Sequence, residues 1–354
     1  MIQDIFPYHL DNHYDPEAEA DDESLIVVFR EKELLLRTGF EEADSATSDD
    51  TDTVADGAGI LSHSGHVADS KAISFETAGN SAPYGKHNIY PHLRDFVNIS
   101  SSDLIYLFSI GDEKFFLLNR DFEEVEFAPG RGALAGADSS LSVHTQNQGF
   151  RAAFVFTGIR QLRALQNIEK RYVYAAYTAY QLSEWYDVTR FCGKCGHPNE
   201  NDKKERARRC PVCGNIIYPR INPAVIIGVT DPVQNKLILT KYRTGFAHNA
   251  LVAGFTEIGE TLEETVEREV MEEVGLKVKN IRYYKSQPWG IASDILAGFF
   301  CDVDGDAHIH MDASELKYAE WVSPENIELQ PTDYSLTNEM MKLFKDGGYE
   351  ATKS

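Results

Sequence analysis

Positive charge is scarce in this chain: 34 Lys and Arg stand against 56 Asp and Glu in 354 residues, a formal net charge of -22. A field of that sign repels polyanions, which argues against long-range capture of nucleic acid by the bare protein, and a phosphate-handling site must reverse its local sign with a cation. Cysteine is sparse too, five in all, too few for the disulfide framework of a small secreted scaffold. No run of eighteen apolar residues occurs, which argues against a membrane-spanning helix. The opening MIQDIFPYHLDNHYD has neither the basic start nor the apolar centre of a secretion signal, and the ending Ala-Thr-Lys-Ser is no peroxisomal address. A soluble cytoplasmic protein with no membrane partner is the expectation. Lys and Arg vanish altogether from Thr38 to Ser70, a stretch rich in Asp, Ser, Thr and Ala. It has too little apolar surface to fold alone, so a disordered acidic insertion is expected over about 38–80.

What is present is more specific. With 42% hydrophobic residues and 11% aromatics, the chain can build two or three packed domains. Four of its cysteines form two CxxC knuckles, Cys192 and Cys195, then Cys210 and Cys213, with fourteen residues between them. That spacing fits a structural Zn²⁺ held tetrahedrally by four thiolates, in a zinc ribbon over 190–219, with a disulfide pair as the alternative. Cys301, in LAGFFCDV, reads as a small buried hydrophobe in a strand. His197 follows the first knuckle, but four sulfurs already fill the shell. Between the knuckles lies a basic hairpin with Lys203, Lys204, Arg206, Arg208 and Arg209, either solvated or in contact with phosphate or RNA.

Residues 254–276 read GFTEIGETLEETVEREVMEEVGL. Glu269, Glu272 and Glu273 stand at spacing i, i+3, i+4 and project from one side of a helix, where their charges repel unless a cation lies between them. Hard carboxylate oxygens suit Mg²⁺ or Mn²⁺. The alternative is a solvated acidic face. Gly254 and Gly259 are expected to let the backbone turn closely, and Gly275 before Leu276 to end the helix. Leu262, Thr265, Val266 and Val270 would seat it on a sheet, with Arg268 pointing elsewhere.

The pattern of Gly254, Glu260, Arg268-Glu269, Val270, Glu272-Glu273, Gly275 and Leu276 resembles the signature of the Nudix hydrolases. With the zinc ribbon before it and Ser286-Gln287-Pro288-Trp289 after it, the chain is similar to the NADH pyrophosphatase branch. It departs from that branch at Gly290, Ile291 and Ala292, where proline, phenylalanine and proline are expected. The resemblance implies that Arg268 holds Glu260 in two parallel hydrogen bonds. It also implies that Glu269, Glu272, Glu273, Glu315 and the carbonyl of Ala253 bind two or three Mg²⁺ or Mn²⁺ ions. It assigns substrate contacts to Glu205, Tyr218, Phe255 and a binding loop of Gln287, Pro288, Trp289, Gly290, Ile291, Ala292, Ser293 and Asp294, although for each aromatic core packing is the alternative. The implied reaction is metal-dependent hydrolysis of NADH or NAD⁺ to AMP and (reduced) nicotinamide mononucleotide, with Glu273 as candidate proton acceptor. The NAD cap of RNA is a possible further substrate. ADP-ribose hydrolysis, or a non-enzymatic nucleotide-sensing or nucleic-acid-binding regulator, are the alternatives.

The expected architecture is α+β. A β-rich module over 1–157, in the family an aid to homodimer formation, has strand-turn-strand patterns at SLIVVFREKELLLR and DLIYLFSIGDEKFFLLNR. A connecting helix over 158–189 leads into the ribbon, and a Nudix α/β/α sandwich with a mixed sheet occupies 220–350. Strands are expected at AVIIGVT, KLILTKYR, AGFFCDV and YAEWVS, and a last helix from Ser335 to Lys345.

Overall fold

The structure, a computed structural model, describes residues 1–37, 89–129, 133–134, 153–165, 168–243, 248–314 and 316–353. The expected acidic insertion and Glu315 lie outside the described residues.

The N-terminal part is β-rich, as expected. Its strands are β1 (Leu10–Asp11), β2 (Leu25–Val27), β3 (Phe29–Arg30), β4 (Glu33–Arg37), β5 (Leu104–Ile110), β6 (Glu113–Leu118), β7 (Ala133–Leu134) and β8 (Ala153–Gly158). They form two four-stranded sheets, β1-β5-β6-β2 and β3-β4-β8-β7. The β5-β6 hairpin is the one expected from its pattern. SLIVVFREKELLLR instead divides between sheets: β2 pairs parallel with β6, whereas β3 and β4 form a hairpin in the other sheet. The cause is two-sided burial with period two. Leu25 and Val27 face one core with Phe108 and Phe115, while Ile26 and Val28 face another with Phe116 and Phe154.

Helix α1 (Lys170–Val188) begins twelve residues later than expected. Where its first turns were expected, the chain ends β8 at Gly158 and makes a short 3-10 turn at Leu162–Ala164. The helix buries Tyr172, Val173, Ala175, Ala176, Tyr177, Ala179 and Tyr180, and Trp289 and Ile291 from much later in the chain pack against the same core. The ribbon follows as a three-stranded sheet of β9 (Glu200–Asn201), β10 (Arg208–Arg209) and β11 (Ile216–Ile217).

The C-terminal part comprises β12 (Asn222–Asp231), β13 (Lys236–Tyr242), β14 (Val252–Phe255), α2 (Leu262–Val274), β15 (Val278–Trp289), β16 (Asp294–Val303), β17 (Leu316–Val322) and α3 (Leu336–Ala351). Its six-stranded sheet runs β15-β16-β12-β13-β17 with β14 paired to β12. The β12-β16 pair is parallel and the others antiparallel, so the sheet is mixed. Both faces are covered, which explains the near-continuous apolar run of β12. Val225, Ile227 and Val229 meet Val266, Val270 and Val274 of α2 on one face. Ala224 and Ile226 meet Leu336, Met340, Met341 and Phe344 of α3 on the other. Cys301 is fully buried on the α2 side, and burial pushes its thiol well above the usual range. Strands β14 and β15 escaped the sequence reading, and α3 runs past Lys345 to Ala351. Among the described residues no helix is long and apolar enough to cross a membrane.

Candidate active site and zinc ribbon

Helix α2 is delimited by its own sequence. Thr261 caps its start, its hydroxyl accepting the Glu264 N–H at 3.2 Å while the Glu264 carboxylate accepts the Thr261 N–H at 2.8 Å. Such reciprocal caps satisfy two donors that the first turn leaves over, and S/T-x-x-E ahead of an apolar stripe is a signal the sequence carried and the reading missed. Gly275 ends the helix in the left-handed region at φ 68°, as expected.

The glutamates share the helix face but differ in exposure. The Glu273 residue is 3% exposed, while the Glu269 and Glu272 side chains are 12% and 60% exposed. Gly254 serves them in a way the sequence did not suggest. It is a paired strand residue opposite Val225, and a Cβ there would lie 1.9 Å from the Glu269 carboxyl carbon. The missing side chain makes room for a carboxylate. The turn belongs to Gly259, whose φ is 97°.

Arg268 corrects a second expectation. It does grip Glu260 with a two-pronged fork, Nε to Oε1 at 2.6 Å and Nη2 to Oε2 at 3.0 Å. It does not point elsewhere: Nη1 donates to Glu269 at 2.7 Å and Glu272 at 3.0 Å, and Nη2 to the Phe255 carbonyl at 2.8 Å. One guanidinium thus links β14, the loop and the acidic helix face, and its planar fork makes this possible where a lysine would not. The Arg268 guanidinium, then the N–H of Glu257, hold Glu260 down at about 2. A carboxylate lowered in this way contributes stability above its unfolded pKa, and that contribution is lost as pH falls through about 2. The pair therefore stays intact from neutral pH to far below pH 5. Removing the anchor leaves the guanidinium to Glu269 and Glu272. Glu260→Gln is accordingly expected to weaken binding of a divalent cation at these carboxylates by roughly 10- to 100-fold, the usual effect of losing a partner behind a ligand. A calorimetric titration with the cation checks this, and an unchanged affinity would refute the anchoring role.

Among the described residues, Cys192, Cys195, Cys210 and Cys213 are the group whose ligand atoms converge within 4.8 Å. Sulfur pairs lie at 3.6 Å (Cys192 and Cys213), 3.4 Å (Cys195 and Cys210) and 3.4 Å (Cys195 and Cys213). A tetrahedron with Zn–S of about 2.3 Å requires sulfurs roughly 3.8 Å apart, so the quartet fits Zn²⁺ with little adjustment. Against burial, the backbone N–H groups of Lys194 and Cys195 lower the Cys192 thiol, whereas, against the His197 N–H, hydrogen bonds with the neighbouring sulfurs raise that of Cys195. His197 is exposed, its Nδ1 3.2 Å from the Cys195 carbonyl oxygen.

The basic hairpin of the ribbon is partly used internally. Arg206 donates to Asn12 at 3.2 Å and to the Leu107 carbonyl at 2.5 Å, Arg208 to the Asn199 carbonyl at 2.7 Å, and Arg209 to Asp202 at 2.6 Å. These three charges fasten the ribbon to itself and to the N-terminal sheets, and Arg209 stays exposed beside Lys203 and Lys204.

Tyr218 and Phe255 are each 54% exposed, so neither serves core packing. The Tyr218 hydroxyl donates to Glu205 at 2.8 Å. Gln287 to Asp294 form the end of the β15-β16 hairpin: Gln287 pairs with Leu296, Pro288 with Ile295 and Trp289 with Asp294, and Gly290–Ala292 make a 3-10 turn closed by Ser293 at φ 61°. Gln287 faces inward and is fully buried. Its Nε2 donates to Tyr334 O at 2.7 Å and Gln3 Oε1 at 3.2 Å, and its Oε1 accepts Leu336 N–H at 2.7 Å. Asp294 is nearly buried, and desolvation raises its carboxyl to about 6 against a weak opposing contact from Asn222.

A NUDIX domain model matches residues 220–344, and the model of the NADH pyrophosphatase zinc ribbon domain matches residues 188–218. The two matches run consecutively, a zinc ribbon model of the NADH pyrophosphatase type and then a NUDIX domain model. Among curated proteins the chain is similar to the NAD-capped RNA hydrolase NudC of Klebsiella pneumoniae strain 342, 43% identical over 155 residues, and to that of Salmonella typhi, 40% identical over 154. Each alignment covers 43% of this chain and 58% of the relative, so the matched segment spans little over half the length of those proteins. A crystal structure of a NUDIX hydrolase from Nitrosomonas europaea is 24% identical with a TM-score of 0.38, over 44% of this chain and 90% of that one.

Proposed function

We propose that this chain hydrolyses the pyrophosphate bond of NADH or NAD⁺, releasing AMP and (reduced) nicotinamide mononucleotide, and that it also removes NAD caps from RNA. One observation carries the reading. A helix whose acidic face is organised by Arg268 lies against β14, with the Glu269 carboxylate seated over Gly254, in a chain whose relatives are named for hydrolysis of NAD-capped RNA.

The donor set has the chemistry of a hard divalent cation site, three carboxylates from α2, the Ala253 carbonyl, and Glu315 from outside the described residues, while among the described residues the three glutamates do not converge within 4.8 Å as the four sulfurs do. Glu269, Glu272, Glu273 and these two would hold two or three Mg²⁺ or Mn²⁺ ions, which supply charge neutralisation and an acidified water when bound. The chain's own groups do the rest. Arg268 keeps the carboxylates in register, and its bond to the Phe255 carbonyl ties β14 to the same frame. Glu273 takes the proton of the attacking water at its carboxylate. Phe255 and Tyr218 offer exposed rings to a base, with Glu205 fixing the Tyr218 hydroxyl. The four-cysteine ribbon holds one Zn²⁺ in a purely structural role. The same reading places the protein in the cytoplasm, where thiols stay reduced, as a homodimer.

The deciding experiment incubates the purified chain and Mn²⁺ with NADH, NAD⁺, ADP-ribose and NAD-capped RNA, and measures AMP or 5′-monophosphate RNA. Release of AMP from the dinucleotides supports the proposal. Turnover of ADP-ribose alone would replace it with the neighbouring activity, and no turnover of any member would refute it.

A further inference from the structure

The end of the β15-β16 hairpin is held by the N-terminal part of the chain, the turn at 289–291 by α1 and the strand before it by the first residues. Gly290 is buried directly against α1: a Cβ at that position would lie 2.0 Å from the Tyr177 carbonyl oxygen and 2.6 Å from its carbon. Those are backbone atoms of a helix, which cannot rotate aside, so any larger residue forces turn and helix apart by about 1 Å or more. Trp289 sets its ring edge-on to Tyr177, centroids 5.4 Å apart, and Ile291 packs into the core that holds α1. Gln181 of α1 donates to the Arg220 carbonyl at 2.9 Å, just before β12. On the other side Gln3 donates to the Ser286 carbonyl at 3.1 Å and accepts from Gln287, while Ile2 N–H reaches the Tyr334 carbonyl at 2.9 Å.

We infer that α1 and the first residues of the chain are positioning elements of the substrate site, acting through Gly290, the residue whose missing side chain lets the turn dock on the helix. The inference rests on the proposed dinucleotide activity, both for the place of residues 287–294 in the substrate site and for its kinetic readout.

Gly290→Ala in the full chain tests this, with Val28→Ala as the control: Val28 is buried in the second N-terminal core, which includes neither α1 nor the turn. The turn variant is expected to raise KM for NAD⁺ by roughly tenfold or more with kcat within about threefold, because misplacing a binding element by about 1 Å weakens binding before it alters chemistry. Amides of residues 286–294 should exchange hydrogen faster in the turn variant only, whereas the control lowers Tm and leaves both KM and local exchange unchanged. Should Gly290→Ala fail to fold, Tyr177→Leu removes the ring beneath Trp289 and is expected to shift KM in the same direction. Unchanged KM and unchanged exchange in the turn variant would overturn the inference. An inactive wild type would instead remove the proposed function, and hydrogen exchange would still decide the docking.

Discussion

Glu273→Gln is expected to lower turnover of NAD⁺ by roughly 10²- to 10³-fold or more, the loss found when one preorganised charge-stabilising group is removed from an active site. The substitution preserves volume and removes charge. Glu273 is 3% exposed, and its own backbone carbonyl accepts the Asp312 N–H at 2.9 Å, a bond the variant retains. The fold should therefore survive with Tm shifted by only a few degrees. Glu272→Gln offers a graded comparison, because that carboxylate is 60% exposed and shared with Arg268. Its effect should be the smaller, since a solvated charge is screened and adds less to a site than a buried one. The measurement is kcat under saturating Mn²⁺ beside a thermal melt of each variant. Near-normal turnover in Glu273→Gln would show that the buried glutamate is not part of the chemistry.

Cys192→Ser is expected to release the structural metal and to cost more than about 4 kcal/mol of stability, because loss of a metal site is among the few single changes that reach this size. At about 2–4 °C per kcal/mol for a domain of 150–250 residues, Tm should fall by roughly 10 °C. The consequence extends beyond the ribbon. Arg206 ties it to Asn12 and Leu107, and the Tyr14 hydroxyl donates to the Asp202 carbonyl at 2.8 Å, so loosening the knuckles also loosens the seam with the N-terminal sheets. Elemental analysis gives the zinc content, expected at one ion per wild-type chain. A wild type without zinc, or a serine variant that melts with it, would refute the ribbon assignment.

How much of this was legible in the residues follows from which interactions are local. The four cysteines announced their site because two-residue knuckles fix ligand geometry within a few bonds. The acidic face of α2 was equally plain, since i, i+3, i+4 spacing places side chains together on any helix. Other features depended on partners distant in sequence. Gly254 read as a turn residue, yet it is a strand position emptied for Glu269, fifteen residues away. Gln287 read as a substrate contact, while its amide is fully buried and engages Gln3, Tyr334 and Leu336. The basic hairpin read as a possible anion patch, while three of its arginines are fasteners.

By itself, then, the sequence determined the chemistry: a four-thiolate site and a row of carboxylates behind an arginine, with the class of protein those patterns define. Only the tertiary structure decided how that chemistry is held. It turned Arg268 into the glutamate set instead of away from it, and it pressed Gly290 against the Tyr177 carbonyl. The reason is physical. Helix periodicity and knuckle spacing are set by neighbours along the chain, whereas a bidentate clamp or a backbone-to-backbone contact exists only where packing brings together residues far apart in sequence.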